Sequence, residues 1–226
     1  MRIEAFVFDL DGVITDTAEL HYIAWSYLAA GLGISIDRGF NESLKGIGRL
    51  ESLERVLAHG GRAADFTAQE KAALAKRKND EYVRLVQQIR PSDILPGVER
   101  FVRSVLAAGH KTAVASASGN AAEVLRLLGL SELFRHVVDA ATVQHGKPHP
   151  EIFLKAADYL GVAPENCVGI EDAAAGVQAV LGAGMFCVGI GRRDVLAGAH
   201  IVLGSTAELD LERITREAST HVRRMA

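Results

Sequence analysis

Residues 3–12 read Ile-Glu-Ala-Phe-Val-Phe-Asp-Leu-Asp-Gly, an apolar run of β-branched and aromatic side chains that stops at two carboxylates and a glycine. Such a run is a buried strand, and its end is where an open α/β sheet presents its ligand-binding residues. Asp9 and Asp11 would then stand together at the sheet rim. Paired acids raise one another's pKa, so they are tolerated where a cation sits between them or where one holds a proton for chemistry. Asp-x-Asp after a strand also serves as a plain turn or helix N-cap, and the rest of the chain has to decide.

Outward from that strand, further strand patterns at 112–115, 167–170 and 186–190, with a weaker one at 200–203, alternate with helical patterns at 97–108, 121–128, 150–160 and 173–181. Alternation of this length implies βαβ crossovers and a parallel sheet covered on both faces. Gly109, Gly129, Gly161 and Gly182 or Gly184 follow the helical patterns as C-terminal capping glycines do. Between Asp16 and Ile94 the strand signal vanishes. Three amphipathic helical patterns take its place, at 17–32, 49–59 and 68–89. The expected fold class is therefore α/β: a Rossmann-like parallel-sheet core, residues 1–15 and 95–226, with a helical cap domain, residues 16–94, inserted after the first strand. Its tethers, Val13–Asp16 and Arg90–Gly97, suit a lid that opens and closes.

Composition narrows the function. A chain of 226 residues with 49% hydrophobic and 23% charged residues folds as an ordinary globular protein. A net charge of -3 and 6% aromatic residues offer neither a polyanion-binding surface nor a base-stacking platform, so nucleic acid is not an expected partner. The two cysteines, Cys167 and Cys187, lie inside apolar strand patterns and read as buried free thiols. No segment approaches the roughly 20 apolar residues of a membrane span, and no basic leader precedes the first strand. The expectation is a cytoplasmic monomer that contacts no membrane.

Three more polar groups follow later strands. The turn Ser116-Ala117-Ser118-Gly119-Asn120 opens a helix, where free N–H groups and hydroxyls favour phosphate. Lys147 lies in Gly-Lys-Pro-His-Pro, residues 146–150, and Glu171-Asp172 repeats the opening acid pair. Each signal alone is weak, since hydroxyl turns cap helices and lone lysines are solvated. Together they place acids, hydroxyls and a lysine on one sheet edge, and the oxygen ligands of Asp9, Asp11 and Asp172 suit Mg²⁺. The chemistry implied is phosphoryl transfer, with cations offsetting phosphate charge so that a carboxylate can approach.

Phe8-Asp9-Leu10-Asp11-Gly12-Val13, Ser116, Lys147-Pro148 and Gly169-Ile170-Glu171-Asp172 resemble the four motifs of the haloacid dehalogenase-like phosphohydrolase superfamily and span nearly the whole chain. The resemblance implies that Asp9 is the nucleophile that becomes an aspartyl phosphate and that Asp11 is the general acid/base. Ser116 and Lys147 would hold the phosphoryl group, and Mg²⁺ would be held by Asp9, Asp11 through its backbone carbonyl, Asp172, and Glu171 directly or through water. Residues of the helical insert resemble the β-phosphoglucomutase branch more narrowly. These are Val13–Glu19 with His21 and Trp25, Leu44-Lys45-Gly46-Ile47-Gly48-Arg49 with Ser52, and the 75–80 segment that contains Lys76.

That branch moves phosphate between C1 and C6 of β-glucose through a 1,6-bisphosphate, so one phosphate meets Asp9 while the other needs a second clamp. Arg49, with its forked guanidinium, suits the distal phosphate, with Ala117, Ser118 and Asn120 completing that site and Lys45, Gly46 and Ser52 on the substrate loop. Thr17 and His21 would position Asp11, and Lys76 would make a polar cap contact. Where the family often has a basic residue between Ser118 and Asn120, this chain has Gly119, which removes one cation from the distal site. Two other readings use similar residues: a sugar-phosphate phosphatase that admits water, and a receiver-like signalling domain, against which the helical insert argues.

Overall fold

The computed structural model describes residues 3–225. Its centre is a six-stranded parallel sheet in the order β3-β2-β1-β4-β5-β6. The strands are β1 (Ala5–Phe8), β2 (Lys111–Val114), β3 (His136–Val137), β4 (Cys167–Glu171), β5 (Phe186–Ile190) and β6 (Ile201–Leu203). β1 is central because all four of its residues are buried, which only a strand covered on both faces can be. Its flanks are in register, Phe8 facing Val114 on one side and Ile170 on the other. Asp9, Ala115 and Glu171 therefore leave the sheet at one level.

Helices α5 (Val98–Ala107), α6 (Ala121–Leu128), α7 (Glu151–Leu160), α8 (Ala174–Gly182) and α9 (Leu211–Met225) cover the sheet. Phe6, Phe8, Phe101 and Phe134 meet edge to face on one side, with centroids 5.6–6.1 Å apart. Ala5, Val7, Phe153 and Val180 fill the other. Gly129 and Gly161 end α6 and α7 in left-handed geometry, and Gly184 rather than Gly182 supplies it after α8. Cys167 and Cys187 are buried and free.

Between β1 and α5 lie α1 (Ala18–Gly31), α2 (Arg38–Glu42), α3 (Arg49–His59) and α4 (Ala68–Val86). They enclose an apolar cluster of their own, including Trp25, Leu28, Leu53, Val56 and Leu57. The two connections to the sheet hold each other: Leu95 N–H donates to Ile14 C=O at 2.9 Å, and the Thr15 hydroxyl donates to Asp93 C=O at 2.8 Å. Contact with the sheet edge is direct. The Asn120 amide donates to Asn79 Oδ1 at 2.9 Å, and a Cβ on Gly46 would stand 3.1 Å from the Ala173 methyl. Among the described residues no helix is long and apolar enough to cross a membrane.

Candidate active site

A cleft of about 410 Å³ lies between the C-terminal edge of the sheet and the four helices. At its floor Lys147 Nζ donates to Asp9 Oδ1 at 2.7 Å and to Glu171 Oε1 in a very short contact, all three side chains being buried. Burial lowers the pKa of Lys147, but Asp9 and Glu171 outweigh it and hold the ammonium above its ordinary range. Burial pushes Glu171 up to about 7, against the pull of Lys147. The remaining Glu171 oxygen accepts from the N–H groups of Asp172 and Ala173 at 3.1 and 3.3 Å, which fixes the carboxylate. Burial, with Glu171 and Asp9 nearby, also raises Asp172 well above its usual value.

Acids crowded in this way either keep a proton or share a cation. Carboxylate oxygens of Asp9, Glu171 and Asp172 lie within 4.8 Å of one another, an all-oxygen set that fits a hard divalent ion. Gly12 makes room for it. Its φ of +73° is a left-handed turn, and a Cβ there would fall 2.1 Å from Asp172 Oδ2.

Asp11 sits at the mouth. Withdrawal from water, reinforced by Asp9, raises it to about 7. Thr17 begins α1, yet its hydroxyl does not cap that helix; it donates to Asp11 in a very short contact, while Asp16 accepts from Ala18 N–H at 2.9 Å. His21 Nε2 is 3.7 Å from Asp11 Oδ2, and His21 Nδ1 is 2.8 Å from Lys78 Nζ. Burial, then Lys78 and Arg49, holds His21 well below its ordinary value, so the imidazole is neutral and Nδ1 accepts from the lysine. His21 also stacks on Tyr82 at 4.1 Å, and the Lys78 ammonium lies 4.7 and 4.9 Å from the Tyr82 and Trp25 rings.

Arg49, the first residue of α3, lines the cleft and makes no hydrogen bond or ion pair among the described residues, although Asp80 acts on it electrostatically. Its Nη2 is 3.5 Å from where a Cβ on Gly119 would be. The guanidinium thus stands where the 116–120 turn lacks a basic side chain. That turn is held by Ser118 N–H to Ser116 Oγ at 3.1 Å and Asn120 N–H to Ser118 Oγ at 3.3 Å.

A family model for haloacid dehalogenase-like hydrolases matches residues 3–184. The chain belongs to the haloacid dehalogenase-like hydrolase family. Among its relatives, the β-phosphoglucomutase of Bacillus subtilis is 45% identical over 214 residues, 95% of each chain. The crystal structure of β-phosphoglucomutase from Clostridium difficile superposes with a TM-score of 0.97 at 49% identity, covering 98% of this chain and all of that one. CbbY from Rhodobacter sphaeroides, in complex with xylulose-1,5-bisphosphate, superposes with a TM-score of 0.81 at 30% identity, covering 94% and 99%.

Within this haloacid dehalogenase-like fold the cleft is lined by Asp9, Asp11, His21, Lys45, Gly46, Arg49, Ser52, Ser116, Ala117, Ser118, Asn120 and Asp172. Thr17, Lys147 and Glu171 stand behind them through the contacts described. Lys76 is the exception and corrects the sequence reading: it is exposed and ion-paired to Asp80 at 2.7 Å. Lys78 occupies the cleft instead. The signal was present, because the buried residues of α4 are Ala75, Lys78, Tyr82, Leu85 and Val86, a helical stripe that passes through 78 and misses 76. Trp25 and Asn79 also line the cleft, and Tyr82 underlies it. An apolar stripe on its own gave no reason to place the two aromatic residues at the wall of this cleft.

Proposed function

We propose that this chain is a β-phosphoglucomutase, interconverting β-glucose 1-phosphate and β-glucose 6-phosphate through an aspartyl phosphate and a β-glucose 1,6-bisphosphate. The observation that carries the reading is the unpaired Arg49 guanidinium in the same cleft as the Asp9–Lys147 pair. A phosphatase acting on a monophosphate needs one phosphate clamp; a cleft that holds a bisphosphate by both ends needs two. The complex of CbbY with a sugar bisphosphate supports a two-phosphate cleft on this scaffold.

In this mechanism the phosphorylated Asp9 gives its phosphoryl group to the C6 hydroxyl of β-glucose 1-phosphate. Asp11, poised near neutrality, takes the hydroxyl proton as the new oxygen–phosphorus bond forms. The bisphosphate then turns round, Asp9 takes back the C1 phosphate, and Asp11 returns the proton to the C1 oxygen. Lys147 and Ser116 hold the phosphoryl oxygens, and Arg49, with the Ala117–Asn120 turn, holds the distal phosphate. Lys45, Gly46 and Ser52 line the sugar's side of the cleft, and Thr17, His21 and Lys78 orient Asp11. Mg²⁺, held by Asp9, Glu171, Asp172 and the Asp11 carbonyl, would supply charge neutralisation at the transferring phosphate.

We infer also that residues 16–94 act as a cap over a core of 1–15 and 95–226, which keeps water from the acyl phosphate. Their separate apolar cluster supports this division. We read the chain as a monomer, and a sugar-phosphate substrate agrees with work in the cytoplasm. The test is to supply Mg²⁺, β-glucose 1-phosphate and trace 1,6-bisphosphate and to follow glucose 6-phosphate against free phosphate. Glucose 6-phosphate should dominate; dominant free phosphate would make the chain a phosphatase.

A further inference from the structure

Outside the cleft, one cluster of metal-ligating side chains has no part in the proposed reaction. His145, His149 and Glu151 each bring a donor atom within 4.8 Å of the other two, on the segment that enters α7. Both imidazoles are exposed and can be reached by an ion from solvent. The carboxylate is fixed in place. Glu151 accepts from the backbone N–H groups of Gln144 and His145, each at 2.9 Å, and these bonds hold it ionised, with a pKa of about 2.

Geometry favours coordination. His145 Nδ1 lies 3.1 Å from Glu151 Oε2, and the two imidazole rings are 4.7 Å apart between centroids. Bonds of ~2.0–2.2 Å to a single ion separate neighbouring ligand atoms by roughly 3.0–3.5 Å, so the first pair is already spaced as two ligands of one ion would be. His149 Nδ1 faces Glu151 N–H at 3.3 Å, and Pro148 and Pro150 on either side restrict its backbone. Lys155 Nζ, 3.4 Å from Glu151 Oε1, opposes a cation, but it is partly exposed and screened.

We propose that His145, His149 and Glu151 form a binding site for a borderline transition-metal dication of the Zn²⁺, Co²⁺ or Ni²⁺ class, with water filling the remaining positions. Two imidazoles and one carboxylate select such ions over Mg²⁺, which prefers oxygen. Coordination through Nδ1 would take the place of the His145–Glu151 hydrogen bond. The ligands lie on both sides of Lys147, so the site sits on the loop that delivers the lysine to Asp9.

The experiment uses untagged full-length protein with Mg²⁺ in large excess to fill the acidic cleft, and titrates Co²⁺ while recording its visible absorption. One equivalent should bind despite the Mg²⁺, and the double variant His145→Gln/His149→Gln should bind it at least about tenfold more weakly. Because both histidines are exposed and outside the cleft, sugar-phosphate turnover by the variant checks that it is folded. Glu151→Gln, nearly isosteric, should weaken binding in the same way. Absence of a Mg²⁺-resistant equivalent in the parent protein overturns the proposal, as does unchanged Co²⁺ affinity in the double variant. Neither result bears on the mutase reading.

Discussion

Lys78 shows what a single buried charge does to this molecule. It is 3% exposed, and burial followed by repulsion from Arg49 lowers it from an ordinary 10.5 to about 7. Between those values the unfolded chain holds a proton that the folded chain has released, so this residue's penalty on stability is full below pH 7 and is relieved as pH rises toward 10.5. Lys78→Met should therefore stabilise the protein relative to the parent at pH 6, by roughly 1–4 kcal/mol, and the gain should shrink by pH 10. Urea unfolding at the two pH values measures it, and a gain independent of pH would remove the buried charge from the account. Asp9→Asn leaves Lys147 paired with Glu171, so the variant should fold. Turnover and covalent phosphate labelling should both fall by at least about 10³-fold, as with other covalent nucleophiles; normal labelling would assign the nucleophile elsewhere. Asp9, Asp11 and Asp172 stood out because two acid pairs at strand ends coincide with a hydroxyl turn and a lysine on one sheet edge, whereas Lys78 was hidden by two basic neighbours and is distinguished only by its place on the buried stripe of α4.

Elements with a clear period were readable from sequence, and short or thinly patterned ones were not. The spans expected at 49–59 and 121–128 coincide with α3 and α6, because a full apolar stripe marks each. β3 has two residues, too few for any alternation to register. α2 has five, and among the described residues α9 packs Leu211, Ile214 and Ala218 between charged neighbours, so neither stood out. The turn after β1 yields a sharper test. Gly12→Ala combines a left-handed backbone with a methyl group driven into Asp172, so Mg²⁺ affinity and turnover should fall together while the sheet survives. Calorimetric Mg²⁺ titration would show it, and wild-type affinity would mean that Asp172 does not bind the ion. At the start of α3, Arg49→Ala should cut mutase activity by at least about tenfold more than hydrolysis of a small acyl phosphate, because only a bisphosphate needs the distal guanidinium. Equal losses in the two assays would reject that role.

Across the whole molecule, α1–α4 meet the sheet through the paired connections near Thr15 and Ile94, the Asn79–Asn120 amide bond, the approach of Gly46 to Ala173, and an apolar cluster in which Ala24, Tyr82, Leu85 and Val86 join Phe6 and Phe8. Two tethers that lie side by side suit the hinge that the proposed cap requires. The acids and the lysine arrive from the sheet, whereas Thr17, His21, Arg49 and Lys78 arrive from the helices. Sequence alone showed both lists but not their meeting, since only the folded chain brings residue 78 beside residue 21. Trp25 gives this meeting a visible signature. It is the single tryptophan of the chain, 2% exposed, on the wall of the cleft and 4.9 Å from the Lys78 ammonium. Movement of the helices off the sheet would let solvent reach the indole and alter its emission, and a bound sugar phosphate would reverse the change. Stopped-flow fluorescence of the unlabelled protein should therefore time the opening and shutting of the chamber, and a signal indifferent to ligand would mean that the walls stay put during turnover.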